Sequence, residues 1–135
     1  MPKTLQKASG CVRFNPREHY PLLQSFYKAR GRVAPNRKVL PTIGYVSEGR
    51  VIGFLYQTDS NVAMIEGIIS DPNTVPSSRR IALARLAGKL IDTALAMGYT
   101  NIFAITNHPA IETLCEKLLF KSGGTYKIYT LSEND

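Results

Sequence analysis

Residues 77–84 read Ser77-Ser78-Arg79-Arg80-Ile81-Ala82-Leu83-Ala84 and lie at the start of the longest helical pattern in the chain. Adjacent cations at a helix start face the positive end of the helix dipole. That placement becomes favourable when an anion sits between them and the free backbone N–H groups, which is phosphate-binding chemistry. A second candidate is Cys115, in the stretch AITNHPAIETLCEKLLF (104–120). Its thiol can donate a proton, or fill the inner face of a helix as a small apolar group. A third is the basic run Arg13, Arg17, Lys28, Arg30, Arg32, Arg37 and Lys38, set against the single acid Glu18. With a net charge of +7 it permits a polyanionic partner, an acidic protein or a nucleic acid among them. Read on its own, the run is a solvated basic helix and loop. There is no Trp and no basic–aromatic alternation to stack single-stranded bases.

The totals exclude several classes. At 135 residues, 44% apolar and 20% charged, the chain is expected to fold as one domain, 1–135, with a substantial core. No apolar run approaches the roughly 18 residues that cross a bilayer, so no membrane partner is expected. The stretch MPKTLQKASG lacks the apolar core of a secretory signal. Cys11 and Cys115 stand far apart in no metal-ligand spacing, which predicts reduced thiols, a cytoplasmic location and no metal. His19 and His108 read as exposed bystanders.

The elements that would position these groups follow from periodicity. Residues 17–30 carry Leu22, Leu23, Phe26 and Tyr27 on one helical face, with Pro21 in the first turn and Gly31 as the closing cap. Residues 33–41 form a basic, Pro-bearing loop. Runs 42–46, 51–57 and 62–70 predict three antiparallel strands joined by turns at 47–50 and 59–61. Residues 71–78 read as a loop broken by Pro72 and Pro76. The stripe Ile81, Leu83, Leu86, Leu90, Ile91, Ala94 and Met97 predicts a helix over 79–97, capped by Ser77 or Ser78 and ended by Gly98. A buried, parallel strand over 101–106, a helix over 109–119 and a last strand over 125–131 complete the order. A meander followed by a strand–helix–strand crossover implies an α/β (α+β-like) fold, a mixed central β-sheet flanked by helices.

This order, together with local patterns, resembles the Gcn5-related N-acetyltransferase (GNAT) family over about residues 40–131. Residues 62–98 resemble its core of strand, Pro-containing loop and long helix ending in Gly. Asn107, Ala110, Leu114, Cys115, Glu116, Lys117, Leu119 and Phe120 resemble its following helix, in which Tyr usually stands at the position of Cys115. The resemblance implies acetyl transfer from acetyl-CoA, as cosubstrate, to a primary amine of a small molecule or protein, by a monomer or homodimer. A looser resemblance is to the small basic GNAT-like proteins encoded by bacteriophages.

Carried over residue by residue, the resemblance makes Glu66 the candidate base and Cys115 the candidate proton donor to the CoA thiolate, with Tyr99, Tyr126 or Tyr129 as substitutes. Backbone at Ile68, Ile69 and Ser70 is expected to pair with the pantetheine amides, and Asn107 to order water or cofactor. The family's pyrophosphate loop, R/Q-x-x-G-x-G/A, maps in one register onto Arg79 with Ala82 and Ala84 at the small positions, and Arg80 adds charge. A register starting at Ser78 instead puts Ile81 and Leu83 there. The alternatives are a catalytically degenerate binding or inhibitor protein and a nucleic-acid-binding protein using residues 13–38.

Overall fold

The computed structural model describes residues 10–106, 108–118, 120–124, 127–129 and 131. A short strand, β1 (Cys11–Arg13), leads into helix α1 (Pro16–Ala29). Asn15 caps α1 by accepting the Arg17 N–H on its side chain, and Pro16 occupies the first helical position, where its missing donor is harmless. Pro21 therefore lies in the second turn, not the first, and removes one donor there. At the far end Gly31, with φ of 71°, donates to the Lys28 carbonyl and closes the helix. The basic loop contains a single 3-10 turn, Arg37–Val39.

Three strands follow as a meander, β2 (Ile43–Ser47), β3 (Val51–Gln57) and β4 (Val62–Ser70). Helix α2 (Pro76–Ala96) crosses to β5 (Asn101–Ala104), and α3 (Pro109–Lys117) comes last. The sheet order is β1-β2-β3-β4-β5, antiparallel except for the parallel β4–β5 pair. This is the mixed sheet flanked by helices that the sequence implies, with β1 as an added edge.

The period-two alternation of the strands sorts their side chains onto two faces. Ile43, Tyr45, Val51, Leu55, Ala63 and Ile65 pack against Ala82, Leu86, Leu90 and Ala94 of α2. Val46, Ile52, Phe54 and Ile69 pack against Leu23, Phe26 and Tyr27 of α1. The buried stripe of α2 therefore runs through its alanines, while Ile81 and Met97 are exposed. Helix α2 also begins earlier than expected. Pro76 starts it instead of breaking it, Val75 occupies the cap position, and no side chain caps it, so neither Ser77 nor Ser78 does.

Two further expectations change. β5 is parallel to β4 but not buried, because its outer side is uncovered among the described residues and Phe103 is 54% exposed. The expected strand over 125–131 rests in part on residues outside the description, and the described residues 127–129 lie in no strand.

Pairing along β4 changes halfway. Phe54 faces Glu66 but Ile52 faces Ile69, so β4 carries one extra residue at Gly67, whose φ is +74°. This β-bulge keeps Ile68 on the α2 face and Ile69 on the α1 face, and it bends the strand.

Candidate acyl-carrier cleft

The bulge divides β4 into two stretches with different surroundings. From Val62 to Ile65 it is paired on both sides, to β3 and to β5. The last bond to β5 runs from the Ile105 N–H to the Ile65 carbonyl. From Glu66 to Ser70 only β3 pairs with it among the described residues. The edge that faced β5 then carries backbone groups with no strand partner. Here the strand splays, and the opening lies at the carboxyl ends of the two parallel strands, where ligands enter open α/β sheets.

A cleft of about 280 Å³ fills this opening. Its floor is Ile68, Ile69 and Ser70, one wall is Arg30 and Arg32 from the end of α1, and the other is Pro76, Arg79, Arg80 and Leu83 from α2. His108, Ala110 and Ile111 close it from α3. Four arginines and no carboxylate line it among the described residues, so it is built for an anion. Arg30 is committed to the floor, donating from Nε to the Ser70 carbonyl at 3.0 Å and from a terminal nitrogen to Ser70 Oγ at 2.6 Å. Arg79 donates to the Pro72 carbonyl at 3.0 Å and fastens the loop after β4.

The start of α2 supplies backbone donors. Pro76 has no N–H, and the Arg79 N–H already bonds to the Val75 carbonyl. Ser77 and Ser78 are thus the residues of the first turn that precede intrahelical pairing. The free backbone donors of this helix start therefore lie ahead of the register that begins at Arg79 and overlap the one that begins at Ser78. Ala82 is wholly buried in the α2 core and Ala84 is exposed off the cleft. Neither lines the cleft, and three residues of helix precede Arg79.

Beside the cleft, on the α1 face, Glu66 lies opposite Phe54 and near two phenols. Tyr27 is pushed above the ordinary tyrosine range by burial, with Arg32 lowering and Glu66 raising it. Tyr56 is pushed up by burial, then by Glu66 and Tyr27. Both stay neutral donors at physiological pH. Composition alone did not single these tyrosines out, since they meet Glu66 only through the packing of α1 on β3 and β4.

The other candidates fall as follows. Cys115 lies one helical turn beyond Ile111, where the α3 wall of the cleft ends, and burial, then Glu112 and Glu116, hold its thiol above the usual range. Asn107 and Tyr126 lie outside the described residues. Tyr99 donates to Gln57 Oε1 and the Thr58 carbonyl at the opposite end of the sheet, and Tyr129 is 87% exposed, so neither reaches the cleft. The histidines are not bystanders. His19 Nδ1 accepts the Asn15 N–H at 2.8 Å, and His108 Nδ1 caps α3 by accepting the Ala110 N–H at 3.2 Å. Among the described residues no group of His, Cys, Asp and Glu could hold a metal, and no helix is long and apolar enough to cross a membrane.

No family profile matches the sequence, and no curated protein matches it. Solved structures do. A probable acetyltransferase superposes with a TM-score of 0.66 over 93% of this chain and 98% of its own, at 18% identity. A protein from Agrobacterium tumefaciens str. C58, described as an acetyltransferase, gives 0.62 over 89% and 99% at 14% identity. A Trypanosoma brucei acetyltransferase gives 0.61 over 90% and 98%, also at 14% identity. The chain thus shares the fold of these acetyltransferases, a single domain with a mixed five-stranded sheet flanked by helices.

Proposed function

We propose that the protein transfers an acetyl group from acetyl-CoA to a primary amine. The observation that carries this is the stretch of β4 at Ile68–Ser70, which among the described residues has no partner strand on the β5 side, in a cleft lined by four arginines and reached by the start of α2. A ligand that combines amides with phosphates fits this set. The backbone at 68–70 holds the amides, and the Ser77 and Ser78 N–H groups with Arg79 and Arg80 hold the phosphates.

The thioester supplies the activated acetyl group. The amine nitrogen bonds to the acetyl carbon as the C–S bond of the thioester breaks. Glu66, one residue before the bulge, takes the amine's proton directly or through water, and the departing CoA thiolate takes up a proton from water. Tyr27 and Tyr56, held protonated, can donate to the carboxylate, and their hydroxyl oxygens can accept an N–H of the incoming amine, leaving its lone pair free. His108, with Nδ1 occupied by its own helix, closes the α3 wall. The proposal gives Cys115 no essential role, so Cys115→Ala should leave kcat within about threefold.

Titration calorimetry with acetyl-CoA at moderate salt tests the reading. Micromolar binding is expected, weakened at least about tenfold by the R79E/R80E double variant. No binding at millimolar acetyl-CoA would mean that the fold is present without the reaction.

A further inference from the structure

We infer that the amine substrate carries its own anionic group, a carboxylate or phosphate a few bonds from the nitrogen, and that Arg32 binds that group beside Glu66. The inference rests on the acetyl-transfer reading and adds the acceptor's chemistry to it.

The four arginines of the cleft are not equivalent. Arg30 is consumed by Ser70, and Arg79 and Arg80 stand at the start of α2 with Arg79 fastened to Pro72. Arg32 is on the opposite wall, just past α1. Its backbone N–H bonds to the Tyr27 carbonyl at 2.9 Å, and its guanidinium stacks 5.1 Å from the centroid of the Tyr27 ring. Among the described residues no carboxylate comes within ion-pairing distance of it. A stacked guanidinium keeps the N–H donors along its edge free, in the planar fork that fits a carboxylate or phosphate. The group is exposed at the cleft edge, resting on the Tyr27 ring, with its donors free of carboxylates among the described residues.

Its loop is pinned as well. The Tyr20 hydroxyl donates to the Pro35 carbonyl at 2.7 Å, and Arg37 stacks 5.7 Å over the Tyr20 ring. Such preorganisation reduces the entropy lost on binding a small ligand. Tyr27 is the common neighbour. Arg32 rests on its ring from the loop after α1, and Glu66 lies on the same α1 face of β4, opposite Phe54 and next to the cleft-floor stretch Ile68–Ser70, so Arg32 and Glu66 border one side of the opening. A substrate bridging them has its charge and its amine a few bonds apart. A neutral amine would leave the guanidinium unanswered.

The test uses the full chain and matched amine pairs: glycine against glycinamide, aspartate against its diamide, and phosphoethanolamine against ethanolamine. Thiol release from acetyl-CoA is followed, and acetyl-CoA binding is measured separately by calorimetry. The expected result is at least tenfold higher kcat/KM for the anionic member of a pair. R32A should erase that preference by raising acceptor KM about tenfold, with acetyl-CoA affinity unchanged, and R32K should keep part of it. The pair with the larger preference names carboxylate or phosphate as the anion. Equal or better turnover of the neutral amines overturns the inference and leaves acetyl transfer standing. So does an R32A variant that loses acetyl-CoA affinity as much as acceptor affinity, because Arg32 then belongs to the phosphate subsite. Failure of the wild-type protein to bind acetyl-CoA overturns both readings.

Discussion

The two halves of β4 are one continuous strand with opposite occupations. Val62–Ile65 is hydrogen-bonded on both edges and buries Ala63 and Ile65 under α2. Glu66–Ser70 is bonded on one edge, contains the only bulge recorded in its pairing with β3, and borders a cleft walled by arginines. The first half satisfies its backbone internally and contributes stability. The second leaves polar backbone groups open in a basic setting, and that open edge is what a ligand can use. Stability and binding chemistry are thus divided at a single residue, Gly67.

The strongest way to break the comparison is to damage the apolar packing beneath the sheet and leave the cleft's polar groups intact. Leu86, fully buried against this face, should cost about 2–5 kcal/mol when changed to Ala. Urea unfolding measures that loss, while acetyl-CoA affinity of the folded protein should stay the same. A weakened affinity would mean that the halves are coupled.

Gly67→Ala strikes the boundary itself. A Cβ there meets Phe54 Cδ2 at 3.3 Å, on a backbone with φ of +74°. The expected cost is about 1–2 kcal/mol of stability, accompanied by a loss of acetyl-CoA affinity because the 68–70 backbone is re-aimed. Full affinity in that variant would separate the bulge from the site.

Arg30→Ala should do the reverse of Leu86→Ala. It removes two hydrogen bonds to Ser70 from a half-exposed position, so stability should fall by no more than about 1.5 kcal/mol. Acetyl-CoA affinity should drop several-fold, since the cleft floor loses its tether.

The smallest effect is in alkaline solution. Tyr27 and Tyr56 titrate higher in the folded protein than in the unfolded chain, mainly through burial. Their contribution is complete below the ordinary tyrosine value near 10 and is lost as pH rises through it, because the unfolded chain releases its protons first. The Y27F/Y56F variant should therefore show a shallower loss of stability from pH 9 to 11 than the wild type. An unchanged slope would mean that neither phenol is desolvated in solution.

How much of this was legible follows the same division. The paired half announces itself, since alternating apolar residues in 43–57 and 62–65 can only form sheet faces, and the α2 pattern supplies their cover. Where the reading slipped, tertiary context decided. The apolar residues of β5 suggested burial, yet its outer side is uncovered among the described residues. Pro76 suits a helix start as well as a loop, and the choice moved the helix's free backbone donors ahead of Arg79. Gly67 is one of several glycines in strand patterns, and nothing local marks it as the extra residue. Arg32 was visible only as one charge in a basic run, because its ring platform comes from the preceding turn of α1 and its relation to Glu66 from sheet packing.

The bulge has one more consequence. The pairings before and after Gly67 differ by a single step, so a chain lacking that residue could form one uninterrupted ladder, with Ile68, Ile69 and Ser70 opposite the same region of β3 and on the same faces. The packing code of the domain is indifferent to this glycine, and only the bend depends on it. One residue therefore separates a straight ladder from the bent strand that borders the cleft, so the bend can be removed without changing which faces are buried.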